Sequence, residues 1–390
     1  MKTLVSVAAT ATVVAGMAQA GGLDRSGTPV DILFEDGNYA ELSFSTVRPD
    51  VSGDYPVAIG GGSTDNMAED YTNFSVALKY QINEQFDVGL FLNQPYGANA
   101  DYTAGLYTGL GADWESDQVA VVLKYQASPN VSVYGGVRSV ESKAEITIPN
   151  ALVGGGLQQA AAGGNAQAAA LLASPAAALG FDYTASTDSD RQTSYIVGAA
   201  YERPDIALRV ALTYETGFTH SFESTENVPG VPIAPISGVG DFEIEMPQSV
   251  TLDFQSGVAE DTLVFGSIRW AEWSVWEVRP TGYEALTGDR VTGLDDDVFT
   301  YRIGVGRRIN EDLSVFARVT YEDANGGVAS RLSPTDGSTA FGIGGSYTYD
   351  NIKVTGGIEY VTLGSATDSL GVEFADNSAL GFGLTVGYQF

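Results

Sequence analysis

The last ten residues constrain the fold more tightly than any other part of the chain. Phe382, Leu384, Val386, Tyr388 and Phe390 are large and apolar, while Gly381, Gly383, Thr385, Gly387 and Gln389 between them are small or polar. Successive side chains of a strand point to opposite faces, so this segment presents one wholly apolar face over the length of a tilted bilayer-crossing strand. A strand of a soluble sheet would more often carry charge on its outer face.

The same alternation recurs upstream, joined by connections of two kinds. Tight turns fall at Asn83-Glu84-Gln85, Ser128-Pro129-Asn130, Pro204-Asp205, Glu260-Asp261, Asn310-Glu311-Asp312 and Asp350-Asn351, all built from turn-forming residues. Longer polar loops lie near 50–70, 98–113, 148–190, 221–246, 281–296, 324–337 and 364–378. Six turns and seven loops join fourteen strands, expected near 39–49, 71–82, 86–97, 114–127, 131–147, 191–203, 206–220, 247–259, 262–280, 297–309, 313–323, 338–349, 352–363 and 379–390. Alternating short and long connections suit an outer-membrane barrel whose short turns face the periplasm, and an even count returns both ends to that side. The expected fold class is therefore all-β, a closed transmembrane antiparallel β-barrel over 39–390. A terminal Phe preceded by apolar residues at alternate positions also resembles the signal by which such proteins are recognised for insertion.

Phase within the strands supplies a second test. One alternate set is apolar: Phe74, Val76, Leu78 and Tyr80; Val119, Val121, Leu123 and Tyr125; Ile206, Leu208, Val210, Leu212 and Tyr214; Leu313, Val315, Ala317, Val319 and Tyr321. The interleaved set holds Lys79, Lys124, Arg138, Arg209, Arg302, Arg308, Arg318 and Lys353 with Glu202, Glu215, Asp253, Glu322 and Glu359. A cation on the lipid face costs roughly 2–4 kcal/mol at the midplane, so the charged set is expected to face the lumen. Tyr80, Tyr125, Tyr201, Tyr214, Tyr321, Tyr347, Tyr360 and Tyr388, near strand ends, suit interfacial girdles.

Export is written at the start. Lys2, the apolar run from Leu4 to Val14 and the Ala18-Gln19-Ala20 site form a secretory signal over 1–20. No later run of about 18 apolar residues provides a helical anchor. The chain has no Cys, 49 Asp+Glu, 19 Lys+Arg and a formal net charge of −30. That composition excludes a disulfide framework and thiol catalysis, and it argues against nucleic acid as a partner. The loop at 148–190 stands apart, being rich in Ala and Gly yet carrying Leu152, Val153, Leu157, Leu171, Leu172, Leu179 and Phe181. Gln158 to Ala162 and Asn165 to Ala173 have helical propensity, which predicts a partly helical, packed lid or a greasy binding surface.

Two segments carry a family resemblance. Met246-Pro247-Gln248-Ser249-Val250, followed by Leu263 to Ile268 and Arg269-Trp270-Ala271-Glu272-Trp273-Ser274, resembles the "P-x-S … W-x-x-W-S" strand pair of the FadL/TodX outer-membrane transporters. The stretch from Leu42 to Gly53 is similar to that family's opening strand, and fourteen is the family's strand number. The resemblance implies a barrel closed by an N-terminal plug, with cargo captured among the outer loops and released sideways through the wall. Fatty acids and aromatic hydrocarbons are the cargo it implies. The family's plug usually carries Asn-Pro-Ala, and no such motif precedes the first strand here. A short segment, Gly21 to Asn38, takes its place, with Asp24, Arg25 and Phe34 as candidate plug contacts.

The expected function is passive transport of a long-chain fatty acid or another hydrophobic small molecule, with no cofactor. The apolar residues of the long loop are the candidate capture surface. The inward Arg138, Arg209, Arg269, Arg302 and Arg318 have two readings: attraction of a cargo carboxylate, or pairing with inward acids to fill the lumen. Pairing is the more economical, with one arginine expected to remain free. His220, the sole histidine, reads as structural or solvated rather than catalytic, and Asp295-Asp296-Asp297 reads as a solvated loop entry rather than a metal site. A monomer in outer-membrane lipid is expected, its acidic loops bridged by cations to lipopolysaccharide phosphates. The alternatives are a general diffusion porin and a structural or adhesive surface barrel.

Overall fold

The computed structural model describes residues 22–231 and 236–390, so the signal segment expected at 1–20 lies outside the described residues. Fourteen antiparallel strands form the wall. They are β1 (Tyr39–Asp50), β2 (Tyr71–Gln81), β3 (Phe86–Asn93, resumed as Gly97–Asp101), β4 (Gly111–Ser128), β5 (Val131–Ile148), β6 (Tyr183–Thr187 and Asp190–Arg203) and β7 (Leu208–Glu215 and Phe218–Asn227). There follow β8 (Gly238–Met246 and Ser249–Ala259), β9 (Thr262–Ala271), β10 (Val298–Arg308), β11 (Leu313–Glu322), β12 (Ser338–Tyr349), β13 (Ile352–Leu363) and β14 (Ser378–Gln389). Closure is made by β1 and β14, whose register runs unbroken from Tyr39 opposite Gln389 to Asp50 opposite Ser378. Pairing the first strand with the last leaves no strand at a free edge of the sheet, where each unpaired backbone group in lipid would cost several kcal/mol.

The tight turns are held by the chemistry their residues predict. Asn83 Oδ1 accepts from the N–H of Gln85 and Phe86, and Asn310 Oδ1 accepts from Asp312 and Leu313. Asp261 and Asp350 sit at φ 57° and 51°, a left-handed conformation that Asp tolerates. Along β4, Ala120, Val122 and Lys124 are buried while Val119, Val121 and Leu123 face outward and are exposed. Lys79, Lys124, Arg138, Arg318, Glu322 and Glu359 are all buried, as lumen-facing charges should be. Exposed Tyr80, Tyr125, Tyr201, Tyr347 and Tyr388 ring the turn end of the barrel, and Tyr321 and Tyr360 stand toward the loop end.

Above the membrane band the sheet continues further than expected. Most of the segment near 221–246 is strand: β7 runs to Asn227 and β8 starts at Gly238. Outside the bilayer the outward set no longer needs to be apolar, so Glu115 faces Lys143 and Glu141 faces Arg191 in exposed ion pairs. The apolar alternation that marks a strand lower down is therefore missing. The strand expected over 262–280 is shorter than predicted. It ends at Ala271, where Trp273–Val275 forms a single 3₁₀ turn around a fully buried Trp273.

The loops form a lid of their own. The long loop contributes α1 (Asn150–Ala162) and α2 (Ala166–Leu172), whose N-cap Asn165 accepts from the N–H of Gln167 and Ala168. A third helix, α3 (Thr281–Thr287), is tied to β7 by Glu226. That buried carboxylate accepts from the N–H of Gly282 and Tyr283 at 2.9 Å each and from the Tyr183 hydroxyl at 2.6 Å. Beneath the helices Val153, Leu157, Leu171, Phe181, Tyr183, Val228 and Leu286 form one apolar core with Tyr107 and Phe374.

Candidate functional site

The segment before β1 is held by lumen side chains. Val30–Phe34 forms a 3₁₀ turn that buries Val30, Ile32 and Leu33. Asp24 accepts from Arg269 at 2.7 and 3.1 Å, Asp31 pairs with Arg209 at 3.1 Å, and Glu35 pairs with Lys353 at 3.6 Å. Lys124 and Lys79 donate to the carbonyls of Leu33 and Glu35 at 2.8 and 2.6 Å. The Arg25 guanidinium lies 3.3 Å from the Tyr71 ring centroid, while Phe34 meets Tyr134 edge-on and lies beneath Lys124 and Arg209. A lumen lined by buried cations thus finds its counter-charges in a strand-free segment, which costs less than leaving those cations alone.

The same segment meets a defect in the wall. Between the two parts of β3 stand Gln94, Pro95 and Tyr96; proline has no N–H to give the ladder. The β2–β3 register runs from Gln81 opposite Asp87 only to Val76 opposite Leu92, so Tyr71 to Ser75 have no ladder partner on that side. Inside the barrel, the Pro95 carbonyl accepts instead from the N–H of Arg25 and Ser26, and the Leu23 carbonyl accepts from Gly97.

Three cavities follow one another from the lid inward. An open groove of about 840 Å³ lies between α1 and the outer loops, with Leu152, Tyr283, Arg290 and Arg331 in its lining. Arg331 donates to Asp368, which also accepts from the Tyr107 hydroxyl. Burial first, and that hydrogen bond second, hold the Tyr107 phenol above its ordinary range. Thr292 and Leu332 belong both to this groove and to a smaller pocket of about 110 Å³. Ala98, Ala100, Ala112, Ala144 and Ala185 line that pocket together with Leu23, Trp114, Phe242 and Trp276, and no Lys or Arg is among its lining residues. Beyond Leu23 lies a polar chamber of about 200 Å³, lined by Asp24, Arg138, Glu215, Asp253, Arg269 and Arg302. The outward-facing Phe44 and Phe74 also border the chamber, so it reaches the lipid face where β2 and β3 part.

The predicted site residues divide between these spaces. Leu152 lines the outer groove; Leu157, Leu171 and Phe181 are buried in the lid core with Leu172 packed against it; Leu179 is exposed. Arg138 pairs with Glu215 and donates to Ser194 and the Thr216 carbonyl, and Arg318 pairs with Glu359 at 2.5 Å. Arg302 is the one left over: its hydrogen bond runs to Thr320 Oγ1 at 3.4 Å, and among the described residues no carboxylate comes within ion-pair distance. His220 is fully buried, with Nδ1 2.7 Å from Asp190 Oδ2. Asp297 accepts from Trp270 Nε1 at 3.0 Å and from the Ser274 hydroxyl at 2.5 Å, so it braces the W-x-x-W-S segment rather than standing in solvent. Sequence reasoning missed the alanine-lined pocket. Its walls come from five strands, the N-terminal segment and two loops, and small residues at strand ends give no local signal.

The comparisons agree with this architecture. A crystal structure of a Pseudomonas aeruginosa FadL homologue superposes with a TM-score of 0.71 at 13% identity, covering 98% of each chain. The Pseudomonas putida toluene transporter TodX matches with a TM-score of 0.67 at 15% identity, covering 95% of this chain and 97% of that one. The Ralstonia pickettii toluene transporter TbuX matches with a TM-score of 0.64 at 14% identity, covering 97% and 98%. At such identities the likeness establishes the fold. No curated protein matches the chain by sequence. The family model for the outer membrane protein transport proteins (OMPP1/FadL/TodX) matches residues 9–390, and the chain therefore belongs to that family of outer-membrane transporters for hydrophobic compounds.

Proposed function

We propose that this transporter carries small neutral hydrophobic molecules, with the segment from 22 to 38 acting as its plug. Cargo enters the outer groove, passes Thr292 and Leu332 into the alanine-lined pocket, crosses at Leu23 into the chamber and leaves between β2 and β3. The observation that carries this reading is the apolar pocket without a basic lining residue, on the order of a single aromatic ring in capacity. A long-chain carboxylate would find no counter-charge there. In a strain lacking the protein, restoring it should raise uptake of labelled toluene several-fold and leave oleate uptake at background. Oleate uptake with no toluene uptake would sink the proposal.

A second reading has one observation in its favour. Arg302 offers a lumen guanidinium with no ion-pair partner among the described residues, which suits a carboxylate head group. On that reading Arg302→Gln should abolish oleate uptake and spare that of toluene.

A further inference from the structure

The four tryptophans divide into two pairs by the fate of the indole N–H. Trp270 donates to Asp297 at 3.0 Å and Trp273 to Asp24 at 3.1 Å. Trp114 and Trp276 are 5% and 6% exposed, and neither indole Nε1 has an acceptor among the described residues. These two are the tryptophans that line the apolar pocket. Unpaired buried donors are rare in native proteins because such a group loses its water without gaining a partner.

Both rings are packed against other aromatic side chains, Trp114 also standing 6.1 Å from the His220 ring. Trp114 stands edge-on to Phe222 at 5.7 Å and to Trp276 at 6.4 Å, and Trp276 is edge-on to Trp273 at 6.4 Å. The remaining lining offers little to receive the protons. Asp113 and Glu145 belong to the outward set of β4 and β5, opposite in phase to buried Trp114 and Ser142, and the Thr292 hydroxyl is engaged with Ser330.

We infer that the cargo supplies the missing acceptor: the pocket selects hydrophobic molecules bearing a neutral oxygen, such as an aromatic ketone, aldehyde or ester, over plain hydrocarbons of the same shape. The carbonyl oxygen has two lone pairs and can accept from both indoles. A carboxylate would satisfy the donors too, but no cation lines the pocket to offset its charge. The inference rests on reading this pocket as part of the cargo route.

Acetophenone and α-methylstyrene test it, since they differ by C=O against C=CH₂ at nearly constant shape. Calorimetric titration of the protein in lipid nanodiscs, with uptake by empty nanodiscs subtracted, should show the ketone binding about ten-fold more tightly. The indole N–H resonances of Trp114 and Trp276 should move downfield with the ketone and not with the alkene, while those of Trp270 and Trp273 stay still. Trp114→Phe with Trp276→Phe keeps an aromatic ring at each position without a donor and should bring the affinity ratio to about one. If the pair does not insert, Trp276→Phe alone should lower the ratio to about three. Equal affinities in the native protein, or a ratio that survives the double substitution, overturn the inference and leave the pocket's place on the route intact. Failure of both ligands to bind saturably overturns that reading of the pocket instead.

Discussion

The two arcs of the barrel wall are built differently. From β9 round to β14 and on to β1, every strand is continuous, and neighbouring registers run without a shift. From β3 to β8, four strands are interrupted: at Gln94 to Tyr96, at Asp188 and Ser189, at Thr216 and Gly217, and at Pro247 and Gln248. The continuous arc does only what a membrane wall must, which is to pair its backbone. The interrupted arc gives up ladder bonds and replaces them with side-chain ones. Where β6 and β7 lack a ladder, Arg138 donates to Ser194 and the Thr216 carbonyl, and Asp190 receives His220 and the Ser221 N–H. Where β2 and β3 part, the N-terminal segment supplies the partners. Where the ladder is broken, polar side chains and the N-terminal segment cover the backbone groups it leaves.

Closing the β2–β3 gap should have the largest effect. Continued beyond Val76 and Leu92, the β2–β3 register would bring Asn73 opposite Pro95, so Asn73→Cys with Pro95→Cys should trap the gap shut on oxidation. Uptake is expected to fall to background and to return on reduction, against no native thiols. The control, Ser346→Cys with Thr355→Cys in the continuous arc, should leave uptake unchanged. Undiminished uptake in the oxidised gap variant would remove the gap from the route.

Next comes a change in the continuous arc. Arg318→Met leaves Glu359 buried and short of its partner, and should destabilise the folded barrel by about 3–5 kcal/mol in urea titration. Ile303→Arg puts a charge on the lipid face near mid-strand and should cost roughly 2–4 kcal/mol in the same measurement, with the fold retained. A neutral result would mean that this face does not meet lipid. The smallest effect is expected of Asp24→Asn, which keeps shape but removes the charge opposite Arg269. It should weaken docking of the segment by about 1–3 kcal/mol, seen as faster amide exchange at Arg25 and Ser26 with global stability unmoved.

The continuous arc was the more legible of the two. Its strands carry the period-two pattern from end to end, and its turns at Glu260-Asp261, Asn310 to Asp312 and Asp350-Asn351 stand where turn chemistry puts them. In the interrupted arc, alternation predicted the lower halves of β7 and β8 but not their continuation above the membrane, where exposed polar residues take over the outward face. The breaks themselves left only Pro95 and Pro247 as local signs. Of the candidate site, the inward charges were legible because lipid excludes them from the other face. Which of them pair, and that Arg302 does not, depends on neighbours distant in the chain.

The sequence by itself determined the barrel: the count of strands, the side that meets lipid and the side that holds charge. These follow from local rules, a period of two and the cost of charge in hydrocarbon, and local rules are written residue by residue. Only the tertiary structure decided which distant residues meet. Trp114 and Trp276 are 162 positions apart in the chain and Asp24 and Arg269 are 245 apart, so no local pattern relates them. The closing of fourteen strands into one wall brings them together and leaves two indole donors beside the pocket without acceptors.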